Sequence, residues 1–175
     1  LYRQDEFDPA RVGTGEDRQL ALSVRSDRIH WIDEHEPTAP QRAYMGFLDE
    51  VRVAINRETF MGLDRWEGHL AVYPEGSFYK RHLDVFANAR ERKISTVLYL
   101  NPHWKPGDGG ELRLWTTPAS AGPWQTDGPY VDIEPRFGTL VAFLSEEYYH
   151  EVLPAHARRY SVTGWLRVRD ARLFR

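Results

Sequence analysis

The sequence predicts a mainly β protein, a sandwich or barrel with one long helix laid across a sheet. Three observations carry that expectation. After residue 66 the chain breaks into short strand-like runs at regular spacing, separated by Gly- and Pro-containing stretches. Aromatic residues make up 13% of the 175 residues, which suits side chains that fit a pleated, half-buried surface. One segment, 41–56, carries a sustained helical period.

From the N-terminus, residues 9–19 combine Pro9, Gly13 and Gly15 with several charges and read as a flexible loop. Leu20–Val24 and Arg28–Ile32 read as short strands joined by a turn at Ser26-Asp27. Pro37-Thr38-Ala39-Pro40 then punctuates the chain, and Thr38 suits a helix cap. From Gln41 to Asn56 the apolar Tyr44, Phe47, Leu48, Val51, Ala54 and Ile55 recur at three- and four-residue steps, giving one apolar face that must pack on something. His69–Tyr73, Lys93–Leu100, Glu111–Trp115, Tyr130–Ile133, Thr139–Phe143 and Arg159–Val168 read as strands. The breaks between them hold Pro74–Gly76, Lys105–Gly110, Pro118–Gly128 and Pro135–Gly138. With no internal repeat or linker-like stretch, residues 1–175 are expected to form a single domain.

A net charge of −3 offers no basic field for a phosphate backbone, so nucleic acid is disfavoured as a partner. The local run Ala89-Arg90-Glu91-Arg92-Lys93 reads as a solvated loop. The absence of cysteine excludes disulfides, thiolate zinc sites and a cysteine nucleophile. No apolar run approaches the ~20 residues of a membrane span, and Leu1–Glu6 lacks the apolar core of a signal peptide. The expectation is a cytoplasmic monomer without membrane association, although a chain that does not begin with Met is compatible with a trimmed leader.

Of seven histidines, only His82 has an Asp two positions on, in Arg81-His82-Leu83-Asp84. On an extended strand residues i and i+2 face the same way, so both side chains reach one ion. Two imidazoles and a carboxylate on one side of Fe(II) leave coordination positions open. The third ligand must come from elsewhere, and His150 and His156 both follow the apolar run Leu140–Leu144. His150 is the only histidine with an Arg or Lys nine positions later, at Arg159; His156 would have Arg167 as its anion partner. Alternation puts Arg159, Ser161, Thr163, Trp165 and Arg167 on one face of the last strand. An inward Arg among apolar strands is costly unless an anion pairs with it, and guanidinium grips a carboxylate at two points.

These residues stand in an order that resembles the 2-oxoglutarate-dependent prolyl hydroxylases, most closely the oxygen-sensing hydroxylases of hypoxia-inducible factor and their bacterial relatives. The resemblance runs from Ile29-His30-Trp31-Ile32-Asp33 through Tyr73-Pro74, Tyr79-Lys80-Arg81-His82-Leu83-Asp84, Leu98-Tyr99-Leu100-Asn101 and Gly109-Gly110-Glu111-Leu112-Arg113. It continues through Asp132-Ile133-Glu134-Pro135 to His150-Glu151-Val152, Pro154-Ala155, Arg159-Tyr160 and Trp165. It implies a double-stranded β-helix, the cupin-like jelly roll, and selects His150 over His156. It further implies Fe(II) on His82, Asp84 and His150, with 2-oxoglutarate and O2 as co-substrates and ascorbate as a reductant. Arg159 and the Tyr99 hydroxyl would hold the far carboxylate of 2-oxoglutarate, Tyr73 and Trp165 would line the pocket, and Thr163 would donate a hydrogen bond near the ion. Arg92 stands where the animal enzymes carry a substrate-contacting Arg.

The implied activity is hydroxylation of a prolyl residue in a protein, giving succinate and CO2, with the 9–19 loop placed to fold over the substrate. The composition and the lack of further domains look bacterial, which points to elongation factor Tu as candidate substrate. The competing readings are a hydroxylase of a free amino acid or other small molecule, and a cupin-like metal-binding protein without oxygenase activity, which has no need of Arg159.

Overall fold

Side-chain alternation along the strands builds two antiparallel sheets whose inner faces meet, as a jelly roll requires. The computed structural model describes residues 6–11, 21–85, 90–121 and 128–169. Within them the order is β1 (Asp8–Pro9), β2 (Arg28–Trp31), α1 (Ala39–Thr59), β3 (Leu63–Tyr73), β4 (Tyr79–His82), β5 (Arg92–Tyr99), β6 (Leu112–Trp115), β7 (Tyr130–Ile133), β8 (Leu140–Leu144), β9 (His150–Val152) and β10 (Arg159–Val168). The larger sheet runs β1-β2-β3-β10-β5-β8 and the smaller β4-β9-β6-β7. One core lies between the sheets and includes Ala71, Tyr73, Val97 and Tyr99 from the larger and Leu112 and Val152 from the smaller.

The second core lies on the outer face of the larger sheet, where α1 covers it. Leu48 is fully buried against Leu63, Trp66, Ile94, Val162 and Leu166, with Tyr44, Met45 and Ile55 packed alongside. The α1 amide of Thr38 donates to Gln41 Oε1 at 2.7 Å, satisfying the helix start. At the other end Phe60 turns left-handed at φ 53° and its N–H donates to the Asn56 carbonyl. The Asn56 amide then exchanges two hydrogen bonds with the Leu63 backbone, each 2.8 Å, fixing where β3 begins.

Beneath the helix, β3 and β10 pair Gly68 with Gly164. A Cβ on Gly68 would stand 2.3 Å from the Trp66 indole, and one on Gly164 2.4 Å from the same ring. The indole lies across this gap, and its Nε1 donates to Thr96 Oγ1 at 3.0 Å.

Several expectations are corrected. Ala21–Val24 is a turn rather than a strand, closed by hydrogen bonds from Val24 and Arg25 to the Ala21 carbonyl; Leu20 lies outside the described residues. Ser26-Asp27 is not a hairpin turn, because Arg25 bridges to Tyr79 and Asp27 is buried in an ion pair with Arg25. Pro9 belongs to β1 instead of a loop, while 12–20 lies outside the described residues. On α1, Phe47 and Ala54 are exposed, one helical step away from Leu48 and Ile55, and Met45 takes the inward place. Arg92 and Lys93 open β5 and do not lie in a solvated loop. The short strands β4 and β9 add to those expected.

Candidate metal centre and its pocket

β4 and β9 pair so that His82 and His150 stand opposite each other, their ring centres 4.2 Å apart. Each imidazole turns Nδ1 to a backbone carbonyl, His82 to Lys80 at 2.7 Å and His150 to Tyr148 at 3.2 Å. Nδ1 therefore carries the hydrogen and Nε2 presents its lone pair. Both Nε2 atoms lie 3.6 Å from an Asp84 carboxylate oxygen, and one ligand atom from each residue falls within 4.8 Å of the others. Among the described residues this is the only such cluster of potential metal-ligating side chains. Two neutral nitrogens and a carboxylate suit a divalent first-row metal and cover one side of it.

Asp84 does not share a strand with His82, as the i, i+2 spacing suggested. It lies two residues past the end of β4 in a bend. Burial works to raise its pKa, yet the His150 and His82 rings outweigh that and hold the carboxyl well below its usual range. Burial, helped by the facing His150 ring, pushes His82 down to about 4. Both groups are thus ready to ligate at neutral pH. Tyr79 stacks on the His82 ring at 3.6 Å and 17°, and the Arg25 guanidinium lies 4.2 Å over Tyr79.

Arg159 opens β10 opposite Tyr73 and is 1% exposed. Its Nε has no hydrogen-bond partner among the described residues, and neither has the buried Tyr99 hydroxyl beside it. Two orphaned polar groups side by side call for a ligand, and cation with hydroxyl fits a carboxylate. Gly110 makes room for the guanidinium stem: its φ is +66°, and a Cβ there would meet Arg159 Cδ at 3.1 Å. The donor set and this anion cradle fit an iron ion with a dicarboxylate co-substrate.

Between the sheets a cavity of about 580 Å³ joins the two features. It is lined by His82, Asp84 and His150 and by Arg159, Tyr73, Thr163, Trp165 and Arg92, residues the sequence puts forward for the site. Tyr99 lies behind them. Arg92 stands 3.5 Å over the Trp165 ring and pairs with Glu67 at 3.2 Å. His156 is exposed and bonded through Nδ1 to the Gly107 carbonyl, and Arg167 pairs with Glu67 and Glu91, so neither joins the site.

Sequence reasoning passed over His69, Tyr79 and two serines behind Asp84. His69 is buried in the cavity wall between Trp31, 5.0 Å away, and Trp165, 5.6 Å away. Its place was readable, since it lies four residues before Tyr73 on β3, hence on the same face, and opposite Thr163 of β10. The serines gave no signal, because a Ser in a strand or in the turn after one is commonly found facing solvent.

Comparison with known proteins adds to this geometry. The model of the 2OG-Fe(II) oxygenase superfamily matches residues 68–167. The hypoxia-inducible factor prolyl hydroxylase of Caenorhabditis elegans is 30% identical over 94% of this chain and 23% of its own length. Egl nine homolog 1 of Homo sapiens is 32% identical over 81% of this chain and 33% of its own. The chain thus spans about a quarter to a third of these two curated relatives. Among solved structures, a Pseudomonas putida prolyl-4-hydroxylase superposes with a TM-score of 0.78 at 43% identity, covering 95% of this chain and 79% of that one. A prolyl hydroxylase in complex with a hypoxia inducible factor oxygen degradation domain peptide fragment, from Trichoplax adhaerens, gives 0.73 at 28% identity, over 93% and 70%. No helix among the described residues is long and apolar enough to cross a membrane.

Proposed function

Because the chain belongs to the 2OG-Fe(II) oxygenase superfamily, which works with Fe(II), 2-oxoglutarate and O2, we propose that it hydroxylates a prolyl residue of a protein substrate. The single observation that carries this reading is the convergence of His82, Asp84 and His150 in one cavity with a buried Arg159 whose Nε has no partner among the described residues.

In this reading His82 and His150 bind the metal through Nε2, and Asp84 supplies the one negative ligand. Bound iron with 2-oxoglutarate and O2 would supply the oxidant for a C–H bond, leaving succinate and CO2. Arg159 and the Tyr99 hydroxyl would hold the distal carboxylate of 2-oxoglutarate, and Tyr73 would line the pocket beside it. Thr163, facing the cavity, offers a hydroxyl near the ion. Trp165, Val97, Leu112 and Val152 exclude water from the reacting side. Arg92, fixed by Glu67 over Trp165, contacts the incoming polypeptide.

The similarity to the Pseudomonas putida and Trichoplax adhaerens enzymes supports a prolyl target, and the resemblance to bacterial relatives supports elongation factor Tu as the substrate. We propose likewise that residues 1–175 form one oxygenase domain that acts as a monomer in the cytoplasm. Incubation with Fe(II), 2-oxoglutarate, ascorbate and elongation factor Tu is expected to add one oxygen to one prolyl peptide, read by mass spectrometry. No added oxygen on any peptide rejects that substrate, and succinate release stimulated by free proline instead favours a small-molecule hydroxylase.

A further inference from the structure

Asp84 lies past the end of β4, so no strand ladder fixes its carboxylate. Something else must. Ser95, in β5, donates from its hydroxyl to Asp84 Oδ2 at 2.6 Å. Ser145, just after β8, has its Oγ 2.9 Å from Ser95 Oγ, and its carbonyl accepts the Asp84 N–H at 3.3 Å. The Ser145 N–H is tied in turn to the Lys93 carbonyl at 3.0 Å. Both serines are 0% exposed. Apolar side chains would be the ordinary filling for such positions, as Val97 is two residues along β5.

The direction of this chain of hydroxyls follows from chemistry. An ionised carboxylate accepts and cannot donate, so the Ser95 hydroxyl is the donor to Asp84. That commits the only Ser95 hydrogen, so Ser145 must be the donor between the two serines. Hydrogen bonds donated in series polarise one another, and the last, onto a charged oxygen, is of the strong kind. Groups behind a metal ligand orient it and tune its affinity.

We propose that Ser145 and Ser95 form a one-way relay that holds the Asp84 carboxylate toward the two imidazole Nε2 atoms, making both serines positioning residues of the metal centre. The inference rests on the metal-centre reading above and extends it to residues that touch no ligand of the ion except Asp84.

The test is Mn(II) titration calorimetry without substrate, on wild type, Ser95→Ala, Ser145→Ala and Ser95→Thr. Ser95→Ala is expected to weaken Mn(II) binding about 10- to 100-fold. Ser145→Ala should weaken it in the same direction and by less, and Ser95→Thr, which keeps the hydroxyl, should recover most of the affinity. The d–d absorption of Co(II) bound to Ser95→Ala should shift from that of wild type. Unchanged Mn(II) affinity in both alanine variants overturns the relay, and so does an equal loss in Ser95→Thr. If Ser95→Ala does not fold, Ser145→Ala decides by the same measurement. A wild type that binds Mn(II) but hydroxylates no protein leaves the relay standing while defeating the proposed function. A wild type that binds no Mn(II) overturns the relay.

Discussion

The guanidinium carbon of Arg159 stands 4.9 Å from the centre of the Tyr99 ring, and the two residues are 1% and 0% exposed. Tyr73 closes the other side at 4.7 Å. A cation walled by aromatic rings, with no ion pair among the described residues, is a costly arrangement until an anion arrives.

Arg159→Lys is therefore expected to weaken 2-oxoglutarate binding about 10- to 100-fold, since a hydrogen bond to a charged group is worth about 1.5–3 kcal/mol and an ammonium lacks the planar grip. Mn(II) affinity should not move. Arg159→Met should lose the thermal stabilisation that 2-oxoglutarate gives wild type. Calorimetry and thermal melts read both, and full co-substrate affinity in Arg159→Lys would show that the pocket geometry is wrong.

His82→Ala and His150→Ala each remove one of two facing imidazoles, and turnover should drop to background with metal affinity lost. Succinate release measured against added Fe(II) checks this. A variant with an unchanged dependence on added Fe(II) and a normal maximal rate would mean the removed ring is not a ligand.

His69 gives a pH prediction. Burial, with the charges of Arg25 and Arg92, lowers its pKa from 6.5 to about 3. The folded protein keeps it neutral while the unfolded chain takes up a proton below 6.5, so the unfolded state binds more protons in that window. Stability is complete above pH 6.5 and falls toward pH 3, by up to about 1.4 kcal/mol per unit from this residue. His69→Met should show a shallower loss between pH 6.5 and 4 in urea titrations. An identical slope in the two proteins would rule the assignment out.

Gly68 and Gly164 face each other under the Trp66 indole. Gly164→Ala places a methyl 2.4 Å from both the ring and the Glu67 carbonyl, and overpacking of this kind costs about 1–3 kcal/mol. The midpoint of chemical unfolding should fall accordingly, with the m-value unchanged. No shift would mean that the indole moves aside freely.

How much of this was legible beforehand varies by element. The extent of β10 is legible because polar Arg159, Ser161 and Thr163 alternate with apolar Tyr160 and Val162, and the same alternation puts Arg159, Thr163 and Trp165 on the cavity side. The metal-ligand pair was legible as a spacing but misread as a strand, since Asp84 leaves β4 before its side chain turns inward. β4 and β9 hold four and three residues, too few for a period to emerge. Phe47 keeps the three-residue step from Tyr44 that marks the apolar face, yet it lies one helical step from Leu48 and stays exposed, because the face that packs is narrower than the periodic pattern. Ser95 and Ser145 come together only through the pairing of β5 with β8, which no local pattern announces.

The pairing of β10 with its two neighbours stays in register from Arg159 to Leu166 and slips only at Leu166–Arg167 and Arg167–Val168. Adding or deleting one residue within the regular stretch would exchange its two sides, sending Thr163 and Trp165 beneath α1 and bringing Val162 and Leu166 into the cavity. Co-substrate chemistry and helix docking are thus written on opposite sides of one strand and cannot be edited independently. The far end, already bulged, is where length can change without such an exchange.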